Sequence, residues 1–140
     1  MLYYSTGKNA PDATLAEAVT RGLAPDRGLY MPRRIERLPD SFFAGIDRLS
    51  FHEIACRVAE AFFGEDIPRE ELDRIVCDTL SFDTPVVKVR ESIWALELFH
   101  GPTLAFKDVG ARFMARMLAH FIARSGRREK VTAVSYTHLR

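Results

Sequence analysis

Between Ser50 and Leu80 the apolar residues recur twice at helical spacing, and this constrains the chain more than any other feature. Phe51, Ile54, Ala55, Val58, Ala59 and Phe62 fall at i, i+3, i+4, i+7, i+8 and i+11, which places them on one face of a helix. Ser50 and Glu53 have the spacing of a capping box at its start, and Gly64 stands where it ends. Pro68 then occupies the place of a first helical residue, and Leu72, Ile75, Val76 and Leu80 form a second apolar face. Two amphipathic helices joined by a short link must pack on each other or on a third element.

The flanking segments fit around this pair. "LYY" reads as a short extended start, and Thr14 with Glu17 forms another capping box, opening a helix that Gly22 can close. "APDRGLYMP" reads as a turn followed by a brief strand, and a short helix is predicted from about Asp40 to Ile46. Residues 1–82 are therefore expected to form one mostly helical unit with one or two strands at its start.

After "FDTP" the pattern changes. "VVKV" and "IWALELF", separated by "RES", predict a hairpin, and "HGPTLA" breaks the strand pattern. A helix is predicted from about Lys107 to Arg124, with Phe106, Gly110, Phe113, Met114, Met117 and Phe121 at helical spacing. "SGRREK" closes it and leads to a strand in "VTAVSY", so strand, loop, helix and strand open an α/β unit. With so little sheet, Phe113, Met114, Met117 and Phe121 are expected to lack cover, and the segment beyond residue 82 to be loosely packed. The chain therefore reads as the front end of a longer protein.

Composition narrows the function classes. In 140 residues, 47% are hydrophobic and 28% charged, as in a globular domain, and the net charge of +1 argues against a nucleic-acid or membrane-surface binder. No apolar run reaches the ~20 residues that span a bilayer, and no secretory signal is visible at the N-terminus. Cys56 and Cys77 suggest no disulfide framework, so a reducing cytoplasm is the expected location.

Several motifs fail on inspection. The segment from Gly101 to Lys107 resembles a P-loop only loosely, because Phe106 and Asp108 stand where Gly and Ser or Thr are required. "HEIAC" begins like a zinc-protease helix, but Cys56 replaces the second His, and His52 with Cys56 makes only two ligands. There is no G-x-S-x-G elbow. His100 is either a hydrogen-bonding loop residue or a site residue, and "RREK" reads as a solvated loop.

Lys107 stands out. The positive end of a helix repels a cation, and Leu104, Ala105 and Phe106 are expected to crowd it. Both effects favour the neutral amine, which is the form that adds to an aldehyde such as pyridoxal phosphate. On residue chemistry alone, an ordinary exposed lysine remains as good a reading. Asp108 suits a helix start, and Thr103 with the backbone of "GPT" offers hydrogen-bond donors.

"LELFHGPTLAFKDVGARFMARML", residues 96–118, resembles the cofactor-lysine segment of the threonine synthase family. "YYST", "GLAPDRGLYMP" at residues 22–32 and "TPV" occur in that family's order and spacing, so the resemblance runs to about Val134. It implies an α/β fold class: a mostly helical N-terminal domain over residues 1–82, then the incomplete start, residues 83–140, of a tryptophan-synthase-beta-like domain. It implies pyridoxal 5'-phosphate as cofactor, with Lys107 as the catalytic and cofactor-binding residue, and no metal. The implied reaction converts O-phospho-L-homoserine and water to L-threonine and phosphate, with no nucleic-acid or membrane partner. Another pyridoxal phosphate lyase or dehydratase of the same fold, and a non-catalytic helical interaction module, remain the alternatives.

Two departures from the family pattern stand out. Arg27 occupies a turn position where the family commonly has Gly, so the turn there is expected to differ slightly. "SYTHLR" follows the last strand where a Ser-Gly-Asp-Thr-Gly-like turn is expected. The cofactor's phosphate cradle and most substrate contacts are then expected outside this chain, which alone is expected to be inactive.

Overall fold

The computed structural model describes residues 1–126. The strand expected in "VTAVSY" and the departing tail lie outside them. Three short strands, β1 (Leu2–Ser5), β2 (Ala13–Thr14) and β3 (Tyr30–Pro32), form an antiparallel sheet in the order β2–β1–β3. Along β1 the side chains alternate, with Leu2 exposed and Tyr3 and Ser5 buried, as a strand with one covered face requires.

The helix α1 (Leu15–Arg21) begins at the Thr14–Glu17 capping box and ends at Gly22, whose φ of 74° costs a glycine little. The short α2 (Asp40–Ala44) leads through a 3-10 turn, Ile46–Arg48, to α3 (Phe51–Phe63), which the Ser50–Glu53 capping box opens. Pro68 lies one place outside α4 (Arg69–Thr79): its ψ of 139° is extended, so it serves as the N-cap and not as the first helical residue. The hairpin β4 (Val86–Arg90) and β5 (Ile93–Leu96) follows, shorter than "IWALELF" suggests, with Ser92 at φ 66° in its turn. Last comes α5 (Lys107–Arg124), with the bounds the sequence predicts.

One core joins these elements. Tyr3, Leu15, Ala18, Ala59, Ile67, Leu72, Ile75, Val76 and Met117 pack together, with Phe63, Phe113 and Phe121 against them. The expectation that α5 lacks cover is thus corrected. Met117 is 2% exposed, Phe113 lies 5.4 Å from Phe63 between ring centroids, and α4 and α1 supply the cover expected of a sheet. Met114 lies on the far side, 57% exposed. Each fully buried side chain of this size contributes roughly 1.5–3 kcal/mol relative to exposure, which makes α5 part of the foundation of the helical unit.

Arginine bonds show how α5 lies on α4. Arg112, near its start, reaches residues 78–81, whereas Arg124, at its end, bonds Glu71 at 2.9 Å. The two helices therefore run antiparallel, and the start of α5 meets the end of α4. The hairpin contrasts with this packing: Val86, Val89, Trp94 and Leu96 are all more than half exposed.

Candidate active site at the head of helix α5

The site begins with the loop that turns β5 into α5. Gly101 accepts the Leu104 N–H at 3.0 Å, and Leu104 takes a left-handed φ of 55°. The Ala105 carbonyl accepts the Asp108 N–H at 3.1 Å, which starts the helix, although Phe106 at the N-cap offers no side-chain bond. Lys107 is the first residue of α5 and is exposed. Asp108, the next residue, is 4% exposed.

The surroundings of Lys107 differ from the crowded setting expected of them. Leu104 and Phe106 are 77% and 75% exposed, so they do not screen the amine from water among the described residues. Thr103 is a second correction. Its N–H donates to Asp108 Oδ2 at 2.8 Å and its hydroxyl to Oδ1 at 2.7 Å, so both donors are committed within the chain. Burial pushes the Asp108 carboxyl up, but the two Thr103 bonds and the charges of Lys107 and Arg112 outweigh it and hold the group below its ordinary value.

Arg112, one turn further along, ties the site to the core. Its Nε donates to the Thr79 carbonyl at 3.1 Å, and its Nη2 to the Asp78 carbonyl at 2.7 Å and to Ser81 Oγ at 2.8 Å. These carbonyls end α4, where a cation is favoured and acceptors lack helical partners. Local sequence carries no signal for this bond, whose target lies 33 residues earlier; the i+4 spacing from Asp108 points only to a pair within α5.

The other singled-out residues lie apart from such chemistry. His52 Nε2 is 3.0 Å from the Leu80 carbonyl, and burial, then Asp73, push the Cys56 thiol up to about 12. Among the described residues no cluster of three or more metal-ligating side chains occurs, and no helix is long and apolar enough to cross a membrane. His100 pairs with Glu97 at 2.7 Å and stacks on Phe99 in the loop before Gly101. A groove of about 530 Å³ lined by Arg37, Phe42, Arg57 and Glu60 does not include Lys107.

A second polar knot lies at "YYSTGK" and "PDRG". Asp26 accepts from Ser5 Oγ at 2.6 Å, from the Asn9 N–H at 2.9 Å and from the Gly28 N–H at 3.0 Å. A Cβ at Gly28 would meet Ser5 Oγ at 2.1 Å, so only glycine fits there. Arg27 holds φ 66°, the left-handed conformation a glycine takes readily.

A small sheet, a helical core and a lysine-headed helix after a hairpin together make an α/β arrangement. The solved structures share this architecture: the pyridoxal-phosphate-bound threonine synthase from Brucella melitensis superimposes with a TM-score of 0.84 at 36% identity, over 91% of this chain and 29% of that one. Threonine synthase from Escherichia coli superimposes at 0.80 and 38%, over 86% and 28%. The chain belongs to the threonine synthase family, whose N-terminal model, "Threonine synthase N terminus", matches residues 2–80. It is 41% identical to threonine synthase of Escherichia coli strain K12 over 123 residues, 86% of this chain and 28% of that protein, and 36% identical to that of Pseudomonas aeruginosa over 133 residues, 91% and 28%. The chain thus spans a little over a quarter of the length of these relatives.

Proposed function

We propose that the full-length protein carrying this chain is a threonine synthase, a carbon–oxygen lyase acting on phosphates. It converts O-phospho-L-homoserine and water to L-threonine and phosphate in the cytoplasm. The observation that carries the reading is the placement of Lys107: an exposed residue at the first position of α5, inside the segment that resembles the family's cofactor-lysine segment, with its neighbour Asp108 turned inward. A primary amine is the group with which the aldehyde of pyridoxal 5'-phosphate condenses, so the residue fits that group.

When bound, the cofactor supplies an electron sink that lets phosphate leave the γ carbon and water add at the β carbon. Lys107 would hold the cofactor through its amine. The same amine would serve as the base and acid that moves protons at the substrate's α and β carbons. In this reading residues 1–82 form the N-terminal domain and residues 83–140 open the catalytic one, with α5 packed on the first while carrying the site of the second.

The test is reductive trapping. Full-length protein is mixed with pyridoxal 5'-phosphate, reduced with borohydride and digested, and the labelled peptide is mapped. Label on Lys107, lost in Lys107→Ala together with phosphate release from O-phospho-L-homoserine, is the expected result. Label on another lysine would sink the assignment.

A further inference from the structure

Lys107 and Asp108 are consecutive, so their side chains leave the helix about 100° apart. One is exposed and the other buried. A buried carboxylate is costly unless its oxygens are satisfied, and here both are, by a single residue five places earlier. The carboxylate does not cap its own helix; it reaches back across the loop. Gly101 lies so close beneath that a Cβ there would come within 2.5 Å of Asp108 Oδ2 and 2.8 Å of its Cβ. The segment from Gly101 to Asp108 is thereby closed on itself, with Leu104, Phe106 and Lys107 on its outer side.

We propose that Asp108 is a positioning residue for Lys107: by holding Thr103 through both oxygens against Gly101, it fixes the first turn of α5 and the direction in which the Lys107 amine leaves it. This rests on the reading that Lys107 carries the cofactor. Asp108 touches neither cofactor nor substrate and acts through the loop. A neutral substitute holds this pair less strongly. An amide at position 108 still accepts from the Thr103 N–H and can donate to the Thr103 hydroxyl, which turns to accept, but both bonds lose the assistance of the carboxylate charge. Thr103→Val keeps the carboxylate but leaves Oδ1 buried without its partner, whereas Thr103→Ser retains the hydroxyl.

The experiment compares wild type, Asp108→Asn, Thr103→Val and Thr103→Ser in the full-length protein. Two quantities are read: the rate at which pyridoxal 5'-phosphate becomes trapped on Lys107, and the amide hydrogen exchange of residues 101–106 without cofactor. Circular dichroism checks that each variant keeps its helices. Thr103→Val should slow trapping and speed loop exchange, each by roughly tenfold, as expected for one lost buried hydrogen bond, and Asp108→Asn, which keeps both contacts in weaker neutral form, should do so by less. Thr103→Ser should match wild type in both. If Asp108→Asn unfolds, the contrast of Thr103→Val with Thr103→Ser decides alone. Trapping at the wild-type rate in a folded Thr103→Val, or unchanged loop exchange, would overturn the positioning role while leaving Lys107 as the carrier. Wild-type label on a different lysine would instead overturn the reading of Lys107 and this proposal with it.

Discussion

Arg112 and Thr79, 33 residues apart, are joined by an N–H to carbonyl bond of 3.1 Å that fastens the start of α5 to the end of α4. The same guanidinium also holds the Asp78 carbonyl and Ser81 Oγ. Arg112→Ala should destabilise the chain by about 1–3 kcal/mol in urea unfolding, because it leaves helix-end carbonyls without their donor. Arg112→Lys should recover less than half of that, since an ammonium lacks the planar fork that serves several acceptors at once. Full recovery by lysine would show that charge alone acts here.

The two sides of α5 give a sharper contrast. Met117→Ala should cost roughly 2–5 kcal/mol, the range for a large core side chain cut to alanine. Met114→Ala, three residues away and exposed, should stay within about 0.5 kcal/mol. Similar losses for both would mean that α5 does not face the core as described.

Arg27 offers a gain. A non-glycine residue at a left-handed φ costs roughly 1–2 kcal/mol, against which glycine gives back about 0.5–1 kcal/mol in unfolded-chain freedom. Arg27→Gly should therefore raise stability by a few tenths to about 1 kcal/mol. A loss would show that the Arg27 side chain contributes more than its backbone costs.

The Asp26 knot predicts an acid dependence. The Ser5 hydroxyl, then the Asn9 N–H, with the Gly28 N–H adding less, hold the Asp26 carboxyl below its ordinary value against burial. A group depressed on folding contributes stability that is fully present above its unfolded value, near about 4, and is lost as pH falls through its folded value. Unfolding free energy measured in urea should thus decline from about pH 5 downward, and less steeply in Asp26→Asn. Parallel profiles for the two proteins would remove Asp26 from the acid response.

Local chemistry made much of this fold legible. Both capping boxes, the hairpin and the bounds of α5 follow from residues within a few places of one another, and those contacts survive into the tertiary structure. The partners of α5 were not legible, because periodicity shows that Met117 lies on an apolar face but not that α1 and α4 cover it. At the site, Lys107 could be picked out by its place at a helix start. The inward turn of Asp108 depends on the backbone path of Gly101 and Leu104, which no periodicity encodes, and so Thr103 read as a free donor when both its hydrogens were already given away.

The shared core has a consequence for how this protein can vary. Ten residues of continuous helix, about 15 Å, separate the buried Met117 from Lys107. A rigid rod of that length converts a small tilt at its root into a displacement at its tip. Substitutions at Tyr3, Leu15 or Leu72, which approach no reactant, would then register as altered turnover. Selection acting on the reaction would reach back to the first strand of the chain.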